Sequence, residues 1–377
     1  MKNTARNLIV LGCFGSSAVA APFLAIGDNA ELFVTADAMA SYNDNILLGS
    51  AANEEDDVIF TFRPGFDLQF GKDSLLKGNV VATGTFTSYA DNSELNNQLL
   101  GLGANSTYDN GNLQLSANVS FDQLDQPTVD AAGGGTLVER DVTAARVNGE
   151  LALSEKISIG SGFSYVHTDY STPGYTDQWT YTVPVNVYYE LTPKVDVSAG
   201  VRYSHIDLEN GANEYDDFYY NVGARGAFTP KLSGSFSVGY TTRDAKVGPN
   251  PSGSFGTDAS LSYAYSDKTQ LSLILGRNFT NSATGASYEN SQITLRAVSA
   301  ITPDWRLNAS VTYRQLDYND PVSREDDYIE GSIGATYIIN NHLTAGLSYT
   351  YRDLSSDAGA ANEFENNVVT LSLSARY

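Results

Sequence analysis

Very short turns alternate with long acidic connections along this 377-residue chain. That asymmetry constrains the fold more than any other feature. The short turns are Gly71-Lys72-Asp73-Ser74, Asp109-Asn110-Gly111-Asn112, Ser154-Glu155-Lys156, Thr192-Pro193-Lys194, Thr229-Pro230-Lys231, Ser266-Asp267-Lys268, Thr302-Pro303-Asp304 and Asn340-Asn341-His342. The long connections include residues 43–56, 125–138, 245–256 and 355–365. A bacterial outer-membrane barrel keeps short turns on its periplasmic side and long loops outside. A soluble sandwich has no reason to sustain that bias.

Between the connections the chain alternates apolar and polar residues with period two, the mark of strands with one buried face. Val58, Phe60, Phe62, Phe66, Leu68 and Phe70 share one face, and Thr61, Arg63, Asp67 and Gln69 the other. Eighteen such segments are legible, with sixteen as the smaller alternative. From the turn side they start near Leu75, Leu113, Ile157, Val195, Leu232, Thr269, Trp305 and Leu343. From the loop side they start near Asp57, Leu95, Arg140, Gln178, Asp217, Thr257, Tyr288, Asp327 and Asn366, and the first starts near Glu31. The expected fold is all-β: a transmembrane antiparallel up-and-down β-barrel over residues 31–377, preceded by a short periplasmic segment at 21–30. At 16 to 18 strands the interior exceeds what wall side chains fill, and an aqueous channel is the usual consequence.

Aromatic residues gather near strand ends. Tyr165, Tyr203, Tyr240, Phe279, Tyr313 and Tyr349 lie toward the loops, and Tyr108, Tyr189, Phe228, Tyr265 and Tyr337 toward the turns. Two interfacial girdles are expected. Residues 1–20 read as a secretion signal: Lys2 and Arg6, an apolar stretch from Leu8 to Phe14, then Ala18-Val19-Ala20 before Ala21. Val10-Leu11-Gly12-Cys13 offers a lipoprotein signal as the alternative. Cys13 is the sole cysteine, so the processed chain has no thiol or disulfide chemistry.

The net charge of −22 excludes an electrostatic nucleic-acid partner. With 24 tyrosines and 16 phenylalanines the chain is too aromatic for disorder. Acids such as Glu54-Glu55-Asp56-Asp57 and Glu325-Asp326-Asp327 sit in the connections. They form either a solvated rim or carboxylates bridged by divalent cations to lipopolysaccharide.

If apolar residues face lipid, their neighbours face the interior. Arg63, Arg146, Arg202, Arg225, Arg296 and Arg314 then point inward, with Asp37, Asp67, Glu150, Glu190 and Asp196. These are the candidate pore-lining residues. They make either a solvated wall or a charged constriction for ions and sugars. Asp37 with Arg63, and Glu330 with Arg352, are candidate pairs. Arg277 breaks the pattern, through a bulge after Leu275 or by snorkelling to the interface. The loop at 125–138, with Gly133-Gly134-Gly135, either narrows the pore or stays outside.

His167-Thr168-Asp169 and His205-Ile206-Asp207 are the nearest approach to catalytic or metal-binding chemistry. Both histidines share the lipid-facing parity. No catalytic residue, metal site or cofactor is expected, and the chain is read as a non-enzyme.

Ser41-Tyr42-Asn43-Asp44-Asn45-Ile46, then Asp56-Asp57-Val58-Ile59 leading to Pro64-Gly65-Phe66-Asp67-Leu68, resembles the putative beta-barrel porin 2 family. The resemblance implies an outer-membrane pore associated with exopolysaccharide passage or export, with polysaccharide and other export components as partners. A general diffusion porin and a non-conducting surface barrel stand beside it. Lipid and lipopolysaccharide are expected partners in any case. The terminal strand ending in Tyr377 resembles the signal read by the barrel-assembly machinery.

Overall fold

The computed structural model describes residues 21–131, 135–209, 213–248, 253–320 and 323–377, without the side chains of 131, 319 and 320. The expected leader, Gly133 and Gly134 lie outside the described residues. A short strand β1 (Leu24–Ile26) precedes the long ones: β2 (Ala30–Asn43), β3 (Asp57–Phe70), β4 (Leu76–Tyr89), β5 (Asn97–Asp109), β6 (Leu113–Gln126) and β7 (Val138–Ala152). Then come β8 (Ile157–Tyr170), β9 (Gln178–Thr192), β10 (Val195–Leu208), β11 (Glu214–Ala227), β12 (Leu232–Ala245) and β13 (Ser254–Ala264). The last are β14 (Thr269–Asn281), β15 (Ser287–Ala300), β16 (Trp305–Asp320), β17 (Arg324–Asn340), β18 (Leu343–Ser356) and β19 (Phe364–Arg376).

Each long strand pairs antiparallel with its sequence neighbours, and β19 pairs with β2 from Val368 opposite Asn43 to Arg376 opposite Thr35. Strands β2 to β19 therefore close into an eighteen-stranded up-and-down barrel. Closure removes the open edges that an apolar sheet would otherwise present. The seam is finished below β19 by β1, where Leu24, Ala25 and Ile26 pair with Leu32, Glu31 and Ala30. Tyr377 exchanges backbone bonds with Val34, and Phe23 meets its ring edge-on at 6.3 Å. A strand of 14 residues such as β3 is about 46 Å long at about 3.3 Å per residue. Tilted by about 40° it still overreaches an apolar layer of about 30 Å, so strand ends project on the loop side.

The turns repeat one chemical device. Ser154, Thr229, Ser266 and Thr302 each turn a hydroxyl back to accept from backbone N–H groups two and three residues on; the Thr229 hydroxyl accepts from Lys231 at 3.2 Å and Leu232 at 2.9 Å. Asn110 does the same with a side-chain carbonyl, and that of Asn340 accepts from His342 two residues on. Thr229→Val should therefore lower the stability of the refolded barrel by about 1 kcal/mol, the net worth of such bonds, read as a lower urea midpoint.

The apolar face is the exposed one: Phe60, Phe62, Phe66, Val222, Leu295, Ile333 and Leu371 all stand open on it. Tyr240, Tyr313 and Tyr349 mark its loop end, and Tyr189, Tyr265, Trp305 and Tyr337 its turn end. Phe279 does not join the girdle. It is buried, 5.1 Å beneath the Arg243 guanidinium, because β13 begins only at Ser254 and leaves the upper part of β14 free to lean inward. The register continues unshifted past Leu275, so Arg277 keeps the lipid-facing parity without a bulge and pairs there with Glu289.

Candidate functional site: the barrel interior and its outer mouth

The opposite face is concave. Arg225 on β11 bonds Glu150 on β7 through two contacts of 2.7 Å, a reach over three intervening strands that only an inward-curving wall permits. The same guanidinium holds Asp196 at 3.1 Å and lies 3.5 Å over the Tyr188 ring. Arg376 reaches Asp67 across β2, and Arg202 reaches Asp258 across β11 and β12. Every arginine after residue 20 except Arg277 has this inward parity.

Arg63, Arg146, Arg202, Arg225, Arg296, Arg314, Asp37, Asp67 and Glu150 all lie on the concave face. They do not converge on one ring. Asp67, Glu150 and Arg225 enter ion pairs near the turn end. Asp37 and Arg63 stand opposite in register, but the bond Arg63 makes is to the Thr85 hydroxyl at 3.4 Å. The flanking β3–β4 pairs, Phe62 with Phe86 and Gly65 with Thr83, put Thr85 across from Arg63; the ladder between them is interrupted at Pro64, which has no N–H. Glu330 and Arg352 do pair, at 3.1 Å.

Three connections fold over the loop end. Between β14 and β15, Ala283 donates its N–H to the Asp130 carboxylate at 2.9 Å, and its carbonyl accepts from Thr176 at 2.9 Å. Gln178 donates to the Ser282 carbonyl at 2.5 Å. Asp130 belongs to the β6–β7 connection, eight strands from β14 in a ring of eighteen, so these bonds meet near the middle of the mouth. The Asp130 carbonyl in turn accepts from the Tyr318 hydroxyl on β16 at 3.3 Å. Val129 packs on a buried group of Leu48, Tyr288, Leu316, Tyr318, Tyr328, Leu354 and Phe364. A second apolar group, Ile206, Leu208 and Tyr215, lies at the same end. In the β8–β9 connection, burial and then the Asp130 charge push the Tyr175 phenol up against the opposing Arg140, so Tyr175 brings no charge to the mouth.

Arg243 braces this assembly. Its side chain is wholly buried and grips both Asp217 oxygens at 2.7 Å. Its remaining nitrogen donates to the Ser287 hydroxyl at 2.7 Å and the Thr280 carbonyl at 3.2 Å, at the two feet of the β14–β15 connection. Arg243 shares the inward parity of Thr241 but is absent from the arginines placed inside from the sequence. What the sequence hides is the partner three strands away.

The histidines stay outside. His167 stacks on Trp179 at 4.6 Å, and His205 meets Asp216 at 2.9 Å, with Tyr181 between the two. The His205 contact is thus to a carboxylate on the neighbouring strand β11, not to Asp207 two residues on in its own strand.

A family model described as putative beta-barrel porin 2 matches residues 22–377. Among curated proteins no relative matches. The crystal structure of OpdL from Pseudomonas aeruginosa superposes with a TM-score of 0.49 and 12% identity over 93% of this chain and 99% of that one. OccAB3 from Acinetobacter baumannii gives 0.47 and 10%, over 93% and 100%. With so few residues shared, the likeness is one of barrel architecture.

Proposed function

Because the chain belongs to the putative beta-barrel porin 2 family, we propose that this outer-membrane β-barrel porin is a diffusion channel for ions and small hydrophilic solutes, narrowed at its outer mouth. The family and fold are those of a channel rather than an enzyme. The observation that carries the reading is the crossing of Ala283 and Ser282 to Asp130, Thr176 and Gln178. A polymer needs an open mouth through which its chain can thread continuously. Interlocked loops bonded to one another favour small solutes over polysaccharide, the passage implied by family resemblance. The mixed-charge inner wall gives such solutes polar contacts all along the way.

Refolded protein in planar bilayers should give small, discrete channel openings, and liposome swelling should fall off steeply between mono- and oligosaccharides. Absence of channel events would defeat the reading; faster entry of acidic oligosaccharides than of monosaccharides would restore polysaccharide passage. Replacing residues 282–286 by two glycines should raise the single-channel conductance severalfold and shift the sugar cutoff upward. An unchanged conductance would mean that the solute path bypasses this loop.

A further inference from the structure

Inward arginines that lie on an aromatic ring mostly also hold a carboxylate, as Arg202 on Tyr219 holds Asp258. Arg314 departs from that arrangement. Its guanidinium lies 4.7 Å over the Tyr328 ring, and its Nε is buried with no acceptor. No carboxylate stands on the inner faces of β14, β15 and β16 from the turns up to Tyr318, and the two diagonal to Arg314 on β17, Asp326 and Glu330, are held by Arg324 and Arg352. Gln292 is opposite Arg314, so Asn290, opposite Leu316, is its diagonal neighbour. The Asn290 side-chain oxygen is likewise buried with no donor. An orphan cationic donor and an orphan neutral acceptor thus share one patch of wall just beneath the loops. The patch is rigid: the Tyr328 hydroxyl donates to Glu330 at 2.8 Å, and Arg352 holds that carboxylate.

A buried polar atom without a protein partner calls for one from outside the chain, a water, an ion or a ligand. From the porin reading of the barrel, on which this rests, we propose that Arg314 and Asn290 form a binding subsite for small hydroxy-carboxylates immediately inside the outer mouth. The carboxylate accepts from the guanidinium, a charge-assisted bond. A hydroxyl a few ångströms along the same molecule donates to the Asn290 oxygen. Neutral sugars satisfy Asn290 but leave the guanidinium unpaired, and simple carboxylates do the reverse.

The test is calorimetric titration of the refolded full chain in detergent at low salt, with sodium gluconate as probe and glucose and sodium propionate as controls. Saturable heat is expected with gluconate, weaker binding with propionate, and none with glucose. Arg314→Gln should weaken gluconate about tenfold or more, as loss of a charged hydrogen bond implies. Lys268→Gln, in a short turn at the far end of the barrel, should leave it unchanged. Asn290→Ala should bring gluconate down to the affinity of propionate, and this holds the proposal to account even if the Arg314 variant does not fold. Equal gluconate binding by wild type and Arg314→Gln, equal binding of glucose and gluconate, or no gluconate heat would each overturn it. Bilayer conductance of the same preparation separates the two readings: a conducting barrel indifferent to gluconate removes the subsite and leaves the channel standing.

Discussion

Arg243→Ala is expected to destabilise the refolded barrel by about 3–5 kcal/mol, the usual consequence of stripping one partner from a buried ion pair. The size follows from what remains. Asp217 is 8% exposed and would lose the guanidinium that holds both its oxygens. Ser287 would lose its 2.7 Å partner, and the Thr280 carbonyl its donor. The rings of Tyr215 and Phe279, 4.6 and 5.1 Å from the guanidinium, would border a cavity. A second readout separates this from general loosening. Ser287 and Thr280 are the feet of the mouth-crossing connection, so conductance should rise as in the shortened-loop variant. Adding Asp217→Leu to Arg243→Met should restore most of the stability, since apolar pairs replace buried ion pairs at little cost. It should not restore the narrow conductance, because the anchors to Ser287 and Thr280 stay lost. A shift within about 1 kcal/mol for Arg243→Ala would put the pair in the class of solvated bridges and remove the brace from the account.

The barrel was legible because its rules are local. Turn-side strand starts at Leu113, Ile157, Val195, Leu232, Thr269, Trp305 and Leu343 coincide with expectation, since a hydroxyl or amide in each turn pins where pairing begins. Of the loop-side starts, Asp57 and Gln178 coincide as well and β15 begins one residue early, at Ser287; β5 begins at Asn97, two residues after the expected Leu95, and five start two or three residues earlier than expected, at Val138, Glu214, Ser254, Arg324 and Phe364. There the apolar alternation has ended, and ordering comes from loops packed on the rim. Parity likewise placed the inner arginines, because a one-residue slip would send every side chain to the other face. The mouth was not legible. Asp130 meets Ala283 across 153 positions, and no periodicity encodes such a contact. Phe279 was misplaced for the same reason: its parity is that of the lipid face, but the strand beside it stops short.

Asn45→Ala is expected to cost a further few kcal/mol, about 3–6 when each of the three abandoned groups is counted at about 1–2. Asn45 is fully buried. Its carbonyl accepts from the Gly49 N–H at 2.8 Å, and its amide donates to the carbonyls of Gly49 at 2.8 Å and Glu365 at 2.9 Å. Around it the same motif ties both sides of the closing seam. Asp44 takes the Asn367 backbone N–H at 2.6 Å, and Asn366 donates to Asn43 at 2.6 Å while accepting from Arg352 at 3.0 Å. The Tyr-Asn-Asp-Asn run that carries the family resemblance thus serves closure rather than solute recognition. It holds Leu48, at φ 51°, beside the buried mouth group of Leu354 and Phe364. These contacts join residues some 320 positions apart, so the loop-closure entropy is met only after the intervening hairpins have formed. Interactions that form last act on the unfolding limb. Asn45→Ala should therefore speed unfolding in urea, followed by the fluorescence of Trp179 and Trp305, and leave refolding nearly unchanged. Amide exchange should quicken at Tyr42 and Val369, which pair across the seam, and not at Val201 and Tyr220 on the far wall. A slowed refolding limb with the unfolding rate untouched would mean that closure precedes the hairpins, and the seam would then be the nucleus of this barrel instead of its last step.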